Sequence, residues 1–116
     1  MKLWIAIVVL MFATVGHAGK AEAAGFYSGS ELLEWCEDDD ARGGNICNSY
    51  LAGIVDITGD YDRWGDMTEE FCVPAGATLG QLQKVVIKGL NEVPEKLHLI
   101  ASGLVFNIFY EAFPCG

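Results

Sequence analysis

The sequence is poor in the groups that carry most enzyme chemistry. It holds two histidines, His17 and His98, and four cysteines. The cysteines include no Cys-x-x-Cys pair, and neither histidine clusters with them, so the ligand spacing of a zinc site is missing. The stretch Ala75-Gly76-Ala77-Thr78-Leu79-Gly80 lacks the lysine of a phosphate-binding loop and the strand that should precede it. The acidic run Glu37-Asp38-Asp39-Asp40 lacks the spacing and the closing glutamate of a calcium hand. Cations are scarce: 7 lysines and arginines stand against 16 aspartates and glutamates, for a formal net charge of -9. A surface of that sign repels nucleic acid and anionic membranes, so neither is an expected partner. It suits solubility or a basic protein partner. There is no internal repeat and no low-complexity tract. No metal and no cofactor is expected.

Catalytic arrangements are equally thin. His17 is expected to leave with the N-terminal segment, so His98 is the one histidine of the remaining chain. His98 and Ser102 stand one helical turn apart, with no acidic orienter in register. A structural histidine is the expectation there. Carboxylates are so numerous that a pair of them identifies nothing. The protein is expected not to be an enzyme, and no catalytic residue is assigned.

What is present begins with an export signal. Lys2 precedes an apolar run from Leu3 to about Val15, and small residues follow, with Gly16-x-Ala18 as the first cleavage signal and a second at Ala21 to Ala24. This is the form of a secretory signal peptide, too short for a membrane span. The expected organisation is a signal peptide over residues 1–18, cleaved as late as 24, and a single helical domain over 19–116. No membrane contact is expected after cleavage. All four cysteines lie in the mature part, and an even count in an exported chain implies two disulfides.

Apolar periodicity predicts an all-α bundle of about four to five helices. Ser28 with Glu31 makes a capping box for the first, on which Leu32, Leu33, Trp35 and Cys36 share one side. Glu37-Asp38-Asp39-Asp40 ends it, with fraying expected where acids meet the helix C-terminus, and Gly43-Gly44 makes the turn. A second helix is expected from near Asn45 to about Thr58. Its apolar arc comprises Cys47, Tyr50, Leu51, Ile54, Val55, Ile57 and Thr58, and Gly53, off that arc, leaves room for close helix packing. Thr78 with Gln81 caps a third helix that ends near Asn91, with Lys84 and Lys88 on its solvated side. The last stretch, Pro94 to Cys115, is apolar almost throughout and has no continuous polar stripe. It predicts one long helix, buried on more than one face, as the central post of the core or as a pairing face for a second subunit.

If neighbouring helices run antiparallel, Cys36 and Cys47 share one end of the bundle and Cys72 and Cys115 the other. That favours the pairs Cys36–Cys47 and Cys72–Cys115. The long segment from 61 to 72 could return across the bundle, so the other pairings stay open. The irregular stretch Tyr61 to Glu70 combines aromatic, arginine and acidic residues, the types enriched in binding hot spots. Tyr61, Arg63, Trp64 and Asp66, together with Asp38, Asp39 and Asp40 of the acidic run, are the candidate partner-binding residues.

Several pieces resemble one family in order along the chain. They are Ser28-Gly29-Ser30-Glu31-Leu32-Leu33-Glu34-Trp35-Cys36, Cys47-Asn48-Ser49-Tyr50-Leu51-Ala52-Gly53-Ile54-Val55-Asp56, Phe71-Cys72-Val73-Pro74-Ala75-Gly76-Ala77-Thr78-Leu79-Gly80-Gln81-Leu82, and Pro94-Glu95-Lys96-Leu97-His98 through Glu111-Ala112-Phe113-Pro114-Cys115. Together they resemble the Rap1a/Tai family of type VI secretion immunity proteins. The resemblance implies a periplasmic, all-helical protein with intramolecular disulfides, commonly a homodimer. It implies a partner too: an exported peptidoglycan amidase effector, whose active-site groove the immunity protein occludes without chemistry of its own. The run Leu104 to Tyr110 is more apolar than the family pattern leads one to expect. Two other readings are kept beside it, a periplasmic stress-response or chaperone-like helical protein and a small hydrolase using unpaired carboxylates.

Overall fold

The computed structural model describes residues 25–59 and 71–116. Its elements in order are α1 (Gly29–Glu37), α2 (Ala41–Gly59), α3 (Leu79–Asn91), a 3-10 helix (Pro94–Lys96) and α4 (Ala101–Ala112). Among the described residues there is no strand, only an isolated antiparallel bridge between Ser28 and Ile100. The expected all-α fold with two disulfides is what forms.

α1 is short but fully satisfied at its start. Ser28 is extended, and its hydroxyl accepts from the Glu31 N–H while the Glu31 carboxylate accepts from the Ser28 N–H at 2.8 Å. The next two orphan donors, the N–H groups of Gly29 and Ser30, reach across the chain to the carbonyls of Leu99 and Leu97, both at 2.9 Å. At the other end the Gln83 side chain donates to the Cys36 carbonyl at 2.6 Å, and Asn91 donates to Glu37 at 2.8 Å. α3 thus holds the end at which fraying was expected.

With these cross-links α1 packs closely against all three other helices, as α3 also does, whereas α4 packs closely only against α1 and α3. The predicted central post is corrected in a second respect as well. Pro94 to Cys115 is not one helix: the 3-10 turn ends at Lys96, Ile100 is extended (φ -59, ψ 128), and α4 starts only at Ala101. The cause is tertiary. Residues 97–101 give their backbone groups to the segment around Ser28, including a bond from the Ala101 N–H to the Tyr27 carbonyl at 2.8 Å. α4 then buries Ala101, Leu104, Val105 and Phe109 against α1 and α3 and leaves Asn107 and Tyr110 outside.

The start of α2 also differs from expectation. Gly43-Gly44 is no turn; both lie in the first turns of the helix. The acidic run supplies what those glycines lack as helix starters. Asp38 accepts from the Asp40 N–H at 2.9 Å, and Asp40 accepts from the Arg42 N–H through its side chain and from the Gly44 N–H through its carbonyl. Acids that oppose the dipole of α1 therefore favour that of α2. Gly43 is needed for this turn, because a Cβ there would lie 2.6 Å from Cβ of Asp38.

The core gathers Leu32, Cys36, Cys47, Leu51, Leu82, Val86, Leu90, Val105 and Phe109 from all four helices. Both disulfides pair as favoured, Cys36 with Cys47 and Cys72 with Cys115. Close helix packing falls at Gly89 of α3, where an added Cβ would stand 2.5 Å from Cγ1 of Ile108, whereas one at Gly53 of α2 would meet nothing within 4 Å. Gly89→Ala is therefore expected to destabilise by about 1–3 kcal/mol through overpacking. Gly53→Ala is expected to raise the stability of the protomer by up to about 1 kcal/mol through helix propensity alone. Urea denaturation of the two variants checks both, and equal effects would refute the packing account.

Candidate recognition surface

The seven candidate partner-binding residues divide sharply. Tyr61, Arg63, Trp64 and Asp66 lie outside the described residues. Asp38, Asp39 and Asp40 are exposed in the turn between α1 and α2. Two of these three already have work inside the fold, as the caps just described. Asp39 makes no such hydrogen bond and is the member of the run free to meet a partner. α2 has 19 residues, so the acidic turn and Gly59, after which the 60–70 segment begins, stand about 28 Å apart along its axis.

Charge is distributed unevenly. α1 and the turn after it carry Glu31, Glu34, Glu37, Asp38, Asp39 and Asp40, all exposed, before the first cation at Arg42. The lysines of the described fold, Lys84, Lys88 and Lys96, sit on α3 and the 3-10 helix. The molecule therefore has an acidic side, built on α1 and the turn after it.

Two surface features were not anticipated. The first is an aromatic cluster. Tyr27 stands edge-on to Trp35 with ring centroids 4.9 Å apart and to Tyr50 at 6.2 Å, across the seam between α1 and α2. The sequence signal was present in part, since Trp35 and Tyr50 lie on the apolar arcs, but Tyr27 precedes the first helix and lies on no arc. Next to it, Ile57 was expected in the core and is 58% exposed. The second is a groove of about 430 Å³ between α3 and α4, with Val85, Leu104 and Ile108 among its apolar lining and Lys88, Glu92 and Glu111 among its charged residues. Lys88 reads in the sequence as a plain solvated charge.

All four cysteines are in disulfides, so no thiol is free to act as a nucleophile. His98 is exposed in the turn before α4, not one helical turn from Ser102 within a helix as expected. Among the described residues no group of three or more His, Cys, Asp or Glu side chains is placed to hold a metal ion. No described helix is long and apolar enough to cross a membrane.

A family model described as Rap1a immunity proteins matches residues 28–115. A search of curated proteins returns no significant match. The family match takes in α1 through α4 and all four cysteines. The chain belongs to the Rap1a immunity protein family.

Proposed function

We propose that the protein is a periplasmic immunity protein that binds a peptidoglycan amidase effector of a type VI secretion system and occludes its active-site groove. The observation that carries this reading is the family match over residues 28–115, which spans the whole described bundle. Residues 1–18 act as the export signal, and residues 19–116 form the binding domain, which works as a homodimer without catalysis of its own. Export fits the paired cysteines, because disulfides persist in oxidising compartments. The acidic side built on α1 supplies electrostatic steering toward a cationic effector surface.

The contact residues proposed are Asp39 with its neighbours Asp38 and Asp40, and Tyr61, Arg63, Trp64 and Asp66. The three aspartates are separable by experiment. Asp39→Lys is expected to weaken inhibition at least about tenfold, a loss of roughly 1.4 kcal/mol, while leaving the melting temperature in place. Asp40→Ala is expected to cost about 1 kcal/mol of stability through the lost cap. Inhibition titrations and thermal melts of both variants check this.

The function itself is tested by adding the exported, oxidised protein to the cognate amidase during cleavage of purified peptidoglycan. Stoichiometric loss of activity is the expected result. Full activity at several-fold excess of the protein refutes the reading.

A further inference from the structure

We infer that the groove between α3 and α4 binds a short peptide with free ends and an aliphatic side chain in the middle, its amino end on Glu111 and its carboxylate toward Lys88 and Lys96. This is a ligand site in its own right, separate from the effector contacts proposed above.

The two helices run antiparallel. Phe113, just past α4, lies beside Gln81 and Lys84 of the first half of α3, and Gly89 lies against Ile108. Val93 and Leu104 therefore mark one end of the groove, and Val85 and Ala112 the other. An apolar floor of Val85, Gly89, Leu104 and Ile108 runs between them. The volume of about 430 Å³ suits a small ligand, whose sites span about 300–1,000 Å³.

The rim is charged, and its signs are sorted by end. Lys96 stands at the Leu104 end with Glu92, and Lys88 comes one turn before Glu92 on α3. That half holds two cations and one anion. Glu111 stands alone at the opposite end. Lys84 lines the next hollow, beyond Val85, and does not line this groove. Among the described residues, Lys88, Glu92, Lys96 and Glu111 form no ion pair with one another or with any other group. All four are exposed, so each is free to meet a ligand.

Charge complementarity then selects an occupant that carries both signs, an ammonium for Glu111 and a carboxylate for the lysines. A fatty acid would suit the floor and the lysines but bring nothing cationic to Glu111. A polyamine would fail in the reverse sense.

Length and backbone chemistry narrow the class further. From Leu104 to Glu111 the axis of α4 rises about 10 Å. An extended chain advances about 3.3–3.6 Å per residue, so a tripeptide covers that distance. Asn107 stands on the rim between the two ends, exposed and without a side-chain hydrogen bond among the described residues. Its carboxamide can donate to a peptide carbonyl and accept from a peptide N–H. The floor then receives the middle side chain.

The test is titration of the isotope-labelled, exported and oxidised protein with the tripeptide Ala-Leu-Ala, followed by amide chemical shifts. Saturable shifts centred on Gly89, Lys96 and Ile108 are expected, with a dissociation constant of about 0.1–1 mM. Acetylating the amino end and amidating the carboxyl end are each expected to weaken binding about threefold to tenfold. Ala-Gly-Ala is expected to bind about tenfold more weakly, for want of a side chain on the floor. Glu111→Gln is expected to erase the effect of acetylation and keep that of amidation. Lys88→Gln together with Lys96→Gln is expected to do the reverse. These side chains are exposed and unpaired, so the variants are expected to keep the fold, which circular dichroism checks. No saturable shift up to about 10 mM peptide would overturn the site. Equal binding of free and doubly blocked peptides would overturn the assignment of the charged ends and with it the ligand class. Neither result depends on which effector the protein meets.

Discussion

Truncation of Phe109 to alanine is expected to remove about 3–5 kcal/mol of stability, enough to leave a small domain close to unfolded. Phe109 is the largest side chain that is completely buried. It projects from α4 into a group of rings, with Phe71 at 5.4 Å and Phe113 at 5.6 Å between centroids, and Phe71 stands in turn 5.4 Å from Phe106. Its loss would cost the transfer energy of the ring and open a cavity between α4 and the chain leading to α3. Phe71 is itself buried in that cavity's wall, and the adjacent Cys72 is tied to Cys115, so the walls have little freedom to collapse. The urea midpoint is expected to fall by about 2 M or more. Tyr110, the next residue, is 59% exposed, and Tyr110→Ala is expected to change stability by no more than about 0.5 kcal/mol. Similar losses for the two variants would mean that α4 does not face inward as described.

Replacing Cys72 and Cys115 together by alanine is expected to cost about 4 kcal/mol, against about 3 kcal/mol for the Cys36 and Cys47 pair, on the chain-entropy account of disulfides. The difference follows from sequence separations of 43 and 11 residues. The bridges also differ in access. Cys36 and Cys47 are 2% and 0% exposed, whereas Cys115 lies at the surface beside the chain end. Mild reductant is therefore expected to open Cys72–Cys115 first, because exchange requires a thiolate to reach a sulfur atom. Alkylation followed by mass spectrometry reports the order. Earlier opening of Cys36–Cys47 would contradict it.

Much of this fold is local and could be read without coordinates. The capping boxes at Ser28 and Thr78 stand where the helices begin, because a hydroxyl followed three residues later by a carboxylate or amide satisfies two backbone donors from within the same stretch. The disulfide pairs are the ones that antiparallel helix ends favoured, with the other pairings still open at that point. The largest error lies where distant residues decide. The long final helix gave way at 97–100 because α1 takes the carbonyls of Leu97 and Leu99. Gly43-Gly44 joined a helix because Asp38 and Asp40 cap it from the preceding turn. Ile57 fits the apolar arc by periodicity, but only packing decides which edge of an arc is covered. The recognition surface was the least legible part. Capping and core residues obey general rules of stability, whereas a contact surface answers to a partner whose sequence lies elsewhere. Asp39 stands out from Asp38 and Asp40 only once their hydrogen bonds are seen.

The bonds from Gly29 and Ser30 to Leu99 and Leu97, with the Ser30 hydroxyl reaching the same Leu97 carbonyl across 67 positions, set a schedule for the chain. A chain synthesised or threaded through a pore emerges N-terminus first. The first helix then waits, without its outer hydrogen bonds, until residues near 100 arrive, and the bridge from Cys72 closes only once Cys115 is out. The helix that starts the bundle in sequence is therefore among the last parts to be secured.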